Sequence, residues 1–201
     1  FGPFARVDGE WSNYFDGTDD YLSAAASADW TLGTTFTIEA WIFPTVFNSY
    51  NAIFDSNGAG GRFFYSARWG EPTYMQFYQS SGTVTSSSAA DLVLNQWNHV
   101  AYVVSSGTGY HYINGERSGS SASIDIGDTS AALQIGRMST DTWFLTGYMS
   151  NVRIVKGTAV YSGTTYTVPT SALTAITNTV LLTCQSNRFI DNSASAHALT
   201  V

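Results

Sequence analysis

The sequence predicts an all-β fold in which two antiparallel sheets pack face to face, and three features of the 201 residues carry that prediction. In residues 97–104, WNHVAYVV, Trp97, His99, Ala101 and Val103 alternate with Asn98, Val100, Tyr102 and Val104. That period of two suits a pleated strand and not a helix. Residues 105–109 supply a small-residue turn before a second run at 110–113. Asn114-Gly115 follows, the dipeptide best able to hold positive φ at both centres of a type I′ turn, so residues 116–120 fold back as a third strand. Lastly, β-rich runs recur about every 8 to 12 residues between turn signals, the spacing of a sandwich or barrel.

The remaining elements follow in chain order. Residues 1–12 form an irregular lead-in with Gly2-Pro3 and Asp8-Gly9 as turn formers. Residues 13–23 read as a hairpin, strand, turn at Asp16-Gly17-Thr18-Asp19, then strand. Residues 24–30 alone lean towards helix, and they are too few for more than a turn or two. FTIEAWIFP, Phe36–Pro44, is a strong strand with Phe36, Ile38, Ala40 and Ile42 on one face and Thr37, Glu39, Trp41 and Phe43 on the other; Pro44 ends it because it cannot donate to a ladder. Strands at 51–55 and 62–67 flank the loop 56–61, and 74–79 with 82–87 make a hairpin about Ser80-Ser81. Beyond the central meander, 132–135, 142–146 and 148–155 read as strands parted by Gly136-Arg137 and Gly147, and 180–184 as another. No charge run, Pro-rich linker or internal repeat divides residues 1–201, so one domain is expected.

Composition narrows the function. Charged residues are 11% of the chain, less than half the usual share of about 25%, whereas aromatics reach 15% with six Trp, twelve Tyr and twelve Phe. Roughly a quarter of the residues are Ser or Thr, a hydroxyl-rich surface suited to extracellular or particle-bound β proteins. A net charge of −7 with one Lys and scattered Arg argues against nucleic acid and against an acidic lipid surface. No apolar run is long enough to insert in a membrane. The single cysteine, Cys184, excludes an intrachain disulfide and a cysteine zinc site; in TVLLTCQSN it reads as a small buried thiol. Because the chain starts at Phe1 without Met and shows no signal peptide, it is expected to be part of a longer polypeptide.

Six motifs in order carry a family resemblance: YFDGTDDYL at 14–22, FTIEAWIFP at 36–44, WNHVAYV at 97–103, YINGERSGS at 112–120, LQIGR at 133–137 and GYMSNVRIVKGTAVY at 147–161. The chain resembles the laminin-G-like jelly rolls of the concanavalin A-like lectin/glucanase class. The last motif, with LLTCQSNRFIDNS at 181–193, is most similar to versions in tailed-phage and other viral structural proteins. This resemblance implies a two-sheet antiparallel jelly-roll sandwich and a non-catalytic recognition or packing module. The expected role is a structural and adhesion module on a virion surface or in another extracellular assembly. It would be homo-oligomeric, binding a host-surface glycan, another surface receptor or neighbouring virion subunits. A purely structural capsid or tail decoration without glycan is the alternative.

Catalysis is disfavoured. Glycan hydrolases of this fold class place two carboxylates on one strand face, and the four glutamates, Glu10, Glu39, Glu71 and Glu116, are isolated from such a partner. Glu39, inside a strong strand, is expected to pair with an Arg or a hydroxyl. His99 reads as a hydrogen-bonded sheet residue, while His111 and His197 have no identifiable partner. Calcium, which takes several carboxylate and carbonyl oxygens from turns, has two candidate positions. One is Asp16, Asp19 and Asp20, joined by Asp191 from near the C-terminus, because the ends of such domains commonly meet in this family. The other, resembling the laminin-G calcium position, is a rim where Asp55 and Asn57 face Asp141. The same aspartates could simply cap turns.

A glycan site wants an aromatic platform beside planar polar groups. Residues 68–74, RWGEPTY, offer Arg68, Trp69 and Tyr74; residues 47–51 offer Tyr50, and Trp143 adds a third aromatic. Packing or subunit contact would use the same residues. Ile38, Ala40, Ile42, Val100, Tyr102, Val104, Ile135, Val152 and Ile154 are expected to pack between the sheets. Leu199 and Val201 should be at least partly buried, and the apolar start Phe1 to Phe4 should pack against the sandwich, because an open strand edge at the tail would invite aggregation.

Overall fold

The computed structural model describes residues 11–46, 50–58, 61–68, 74–79, 82, 84–88, 92–129, 131–140 and 143–201. Among them, two seven-stranded antiparallel sheets form the jelly-roll sandwich. The first sheet runs β1 (Asn13–Asp16), β12 (Thr146–Lys156), β3 (Phe36–Pro44), β8 (Asn98–Ser105), β9 (Thr108–Ile113) and β10 (Glu116–Ser123), and β13 (Thr179–Thr183) pairs with the later half of β12. The second runs β14 (Leu199–Thr200), β2 (Leu22–Ala24), β11 (Leu133–Ile135), β4 (Tyr50–Gly58), β5 (Gly61–Arg68), β6 (Tyr74–Gln79) and β7 (Val84–Ser86). The meander β8–β9–β10 is present, and the turn between its last two strands holds Asn114 at φ +51° and Gly115 at φ +87°.

Alternation along the strands decides what is buried. Ile38 and Ala40 of β3 lie abreast of Tyr102 and Val100 of β8, and Ile38 is also paired with Ile154 of β12. All nine residues expected between the sheets belong to one buried cluster, met from the second sheet by Phe54, Phe63, Tyr65, Phe77 and Leu133. Phe77 and Tyr102 stack across the gap at 4.0 Å and 9°. This apolar interior also contains one polar set: Thr85 Oγ1 lies 2.9 Å from the Tyr102 hydroxyl and 3.0 Å from His111 Nε2. His111 therefore has partners that its sequence neighbourhood did not reveal, and burial pushes its imidazole down to about 3. Cys184 is buried, which pushes its thiol up to about 12.

Several expectations need correction. Residues 13–23 are not a hairpin, because β1 joins the first sheet and β2 the second; the turn at Asp16 carries the chain across the sandwich. The helical leaning of 24–30 reduces to a single 3-10 turn, Ala28–Trp30, capped by Ser27. No separate strand forms over the described part of 142–146: Phe144 makes one bridge to Arg137, and Thr146 already belongs to β12. Leu199 is half-buried against the core as β14 pairs with β2, but Val201 is 74% exposed, since the strand stops one residue short of it. Phe1 to Phe4 lie outside the described residues. Among the described residues no helix is long and apolar enough to cross a membrane.

Candidate functional site

The outer face of the second sheet gathers most of the residues singled out for binding. Residues directly paired across antiparallel strands share a face, so Tyr50, Arg68 and Tyr74 form one outward row across β4, β5 and β6. Ala52, Ser66 and Gln76 form the next, and Asp55, Phe64 and Tyr78 a third. A bulge in β4 makes this possible: the register shifts between Ala52 and Phe54, both Ile53 and Phe54 enter the core, and Tyr50 and Asp55 both point outward despite their odd spacing.

Trp143, arriving from the segment after β11, stacks on Tyr50 at 3.9 Å and 23°. With Phe64, Tyr78 and Met138 they enclose a cavity of about 190 Å³ whose polar wall is Arg62 and Gln76. The Arg68 guanidinium stands at the rim, 5.0 Å from the Tyr50 ring centre and 5.9 Å from that of Tyr74. Arg62 lies 5.7 Å from the Phe64 ring and 5.8 Å from the Tyr78 ring, and its Nε donates to Asp55 Oδ1 at 3.0 Å. Of the five residues proposed from sequence, Tyr50, Arg68, Tyr74 and Trp143 come together; Trp69 lies outside the described residues. Arg62, Gln76 and Tyr78 were missed. Their signal was the strand alternation itself, Arg62, Phe64, Ser66 and Arg68 falling on one face of β5.

The aspartates proposed for calcium are distributed differently. Asp16, Asp19 and Asp20 bring carboxylate oxygens within 4.8 Å of one another at the β1–β2 turn. Asp16 Oδ1 accepts the backbone N–H groups of Thr18 at 2.7 Å and Asp19 at 3.2 Å, and these bonds hold its carboxyl below the usual range. Asp20 Oδ2 accepts from Asp16 N at 3.1 Å. Calcium takes about six to eight oxygens, and with two of the three carboxylates already accepting backbone donors the set fits turn capping better. Asp191 does not join this group. It is buried, Oδ1 accepting from the backbone of Leu182 and Ser193 and Oδ2 from Ser193 Oγ and His197 N. Asp55 is buried under the second sheet's face, its Oδ2 accepting from Ser139 N at 2.8 Å and from the Ser139 hydroxyl, with half-buried Asn57 paired to Arg62. Asp141 lies outside the described residues.

Beside a cavity of about 230 Å³ lined by Tyr110, Tyr112, Arg117 and Tyr161, the outer face of the first sheet is covered. Residues 157–178 run across it as a strap, pinned where Thr37 Oγ1 donates to Thr158 O, Tyr112 Oη to Gly163 O and Arg153 Nη1 to Thr174 O. Beneath it Glu39 is fully buried. Arg153, its cross-strand neighbour, donates from Nε at 2.8 Å and approaches with Nη2 at 2.6 Å; Tyr161 donates at 2.6 Å, and His99 Nε2 lies at 3.2 Å. Burial alone would raise the Glu39 carboxyl, but His99, Arg153 and Tyr161 together hold it below its usual value. Glu39 thus has the Arg and hydroxyl partners expected of it, and His99 bridges it to Tyr166, whose hydroxyl lies 2.6 Å from Nδ1.

With this geometry in place, the family can be stated. Residues 16–160 match the laminin-G model of the Concanavalin A-like lectin/glucanases superfamily, and the chain belongs to that family. Its fold is similar to a putative carbohydrate binding protein from Bacteroides ovatus, with 17% identity and a TM-score of 0.68 over 98% of this chain and 60% of that one. The heptameric SAP-like pentraxin of Limulus polyphemus is similar at 18% identity and TM-score 0.58, covering 78% of this chain and 80% of that one. Domain 4 of AbnA, an extracellular arabinanase of Geobacillus stearothermophilus solved with arabinotriose, gives 18% identity and TM-score 0.57 over 74% of this chain and 72% of that domain. No curated protein matches the chain.

Proposed function

We propose that the outer face of the second sheet binds a glycan and that the domain is a non-catalytic adhesion module. The observation that carries the reading is the convergence of stacked Tyr50 and Trp143 with two guanidiniums and Gln76 around one cavity that no strap among the described residues covers. Aromatic walls take the C–H face of a sugar, and planar donors fix its hydroxyls. At about 190 Å³ the cavity is small beside the roughly 300–1,000 Å³ of drug-sized sites, a size for one sugar unit of a longer chain. Family membership and the carbohydrate-binding proteins of the same fold support the reading. Glu39 is committed to holding the strap, which leaves the acid that the sequence places inside a strong strand out of any hydrolytic role.

The setting expected from the sequence resemblance, a virus particle with neighbouring virion subunits, is a further part of the proposal, and none of the three similar structures named above is viral. The binding face works equally on a virion or in a secreted protein. A glycan array tests the core of it: signals from the native chain should fall at least tenfold in Trp143→Ala with its fold intact. An array blank for the native chain, or unchanged by Trp143→Ala, contradicts the reading.

A further inference from the structure

We propose that the glycan is acidic and that Arg68 reads its carboxylate; this rests on the glycan reading above and specifies its ligand. The chain is poor in cations, with eight Lys and Arg against fifteen Asp and Glu. Even so, two of the arginines stand on this one face. Arg153 is taken by Glu39, whereas Arg117 lies 3.5 Å from the Tyr110 ring and Arg137 4.7 Å from the Tyr21 ring, both away from this cavity. Arg68 is the ring-held arginine beside it. Among the described residues its side chain has no ion pair and no hydrogen bond, and it is held in place by the rings of Tyr50 and Tyr74. A guanidinium steadied by aromatic rings keeps its N–H fork free for an acceptor.

The surrounding charges point the same way. Asp55 answers Arg62 through Oδ1, but its second oxygen is capped by Ser139, so it turns no free negative charge towards the cavity. The cavity lining among the described residues contains no carboxylate. Arg62 Nη2 is a further buried donor without a partner. A neutral sugar would leave Arg68 with ordinary hydroxyl bonds, whereas a planar carboxylate matches its fork with two charge-assisted ones. The ligand class is therefore a glycan bearing a hexuronate or a sialate.

The test uses the whole chain in titration calorimetry with two matched pairs, trigalacturonate against neutral α-1,4-galactotriose and sialyllactose against lactose. One acidic member should bind at least about tenfold more tightly than its neutral partner, and which pair responds identifies the carboxylate's source. Added salt should erode that preference. Arg68→Gln should abolish it by weakening the acidic member far more than the neutral one, Arg68→Lys should retain part of it, and Trp143→Ala should weaken both members alike. Equal affinity within both pairs, binding to neutral glycans alone, or an equal loss for both members in Arg68→Gln overturns the acidic-ligand proposal but leaves glycan binding standing. A chain that binds none of the four and is also blank on the glycan array overturns both.

Discussion

The two outer faces of the sandwich are built from the same kind of strand and end up with opposite chemistry. On the first sheet, Arg153 and Glu39 meet abreast, His99, Tyr161 and Tyr166 complete their bonding, and the strap at 157–178 shuts out water. On the second, Arg68 and Arg62 lie among rings on a surface without such a strap, and among the described residues only Arg62 has a carboxylate. The difference teaches where binding free energy is available. A satisfied network under a strap stabilises the fold and offers nothing to a ligand, whereas donors held in place without acceptors are ready for one.

Breaking the sealed face should have the largest effect. Arg153→Ala strands a buried carboxylate, and removing one partner of a buried pair costs about 3–5 kcal/mol; denaturant unfolding should register that loss, and a change below about 1 kcal/mol would show that the strap leaves the network wet.

His111, between the two faces, supplies a control. Its folded value near 3 lies below its ordinary 6.5, so it stays neutral in the fold while the unfolded chain takes up a proton. Stability from this group is therefore complete above pH 6.5 and falls as pH drops towards 3, by about 2 kcal/mol at pH 5. Unfolding measured from pH 7 to 5 should show the slope in the native chain and lose it in His111→Gln; an equal slope in both would assign it elsewhere.

On the open face, truncation should separate affinity from stability. Trp143→Ala forfeits a stacked pair worth about 0.5–1.5 kcal/mol, so its melting temperature should fall far less than that of Arg153→Ala, even as glycan binding is lost. A collapse as large as the Arg153 variant's would make Trp143 a packing residue. The smallest effect is expected at the β1–β2 turn. If Asp16 only caps it, chelator leaves the melting temperature unmoved, and a calcium-dependent rise abolished by Asp19→Asn would restore the metal reading.

Much of this was legible in the sequence because it is local. Period-two runs and Asn114-Gly115 specify strands and a turn through neighbouring residues, and Tyr50, Arg68, Tyr74 and Trp143 stand out as aromatic and planar polar groups near strand ends. What failed depends on pairing across the chain. A turn such as Asp16 to Asp19 reads identically whether the next strand returns to its own sheet or crosses to the other. The β4 bulge at Ile53 and Phe54 resets which side chains face outward. His197 finds Asp29 at 2.9 Å and packs against Trp30 with the rings tilted by 42° at 4.5 Å, partners far away in sequence.

The central claim is that the open face and not the strapped one receives the ligand, and NMR titration of the aromatic side chains tests it most directly. Adding a glycan identified on the array should shift the signals of Tyr50, Tyr74, Tyr78 and the Trp143 indole, and leave Tyr161 and Tyr166 where they are. Shifts confined to Tyr161 and Tyr166, or spread evenly over both faces, would contradict the account.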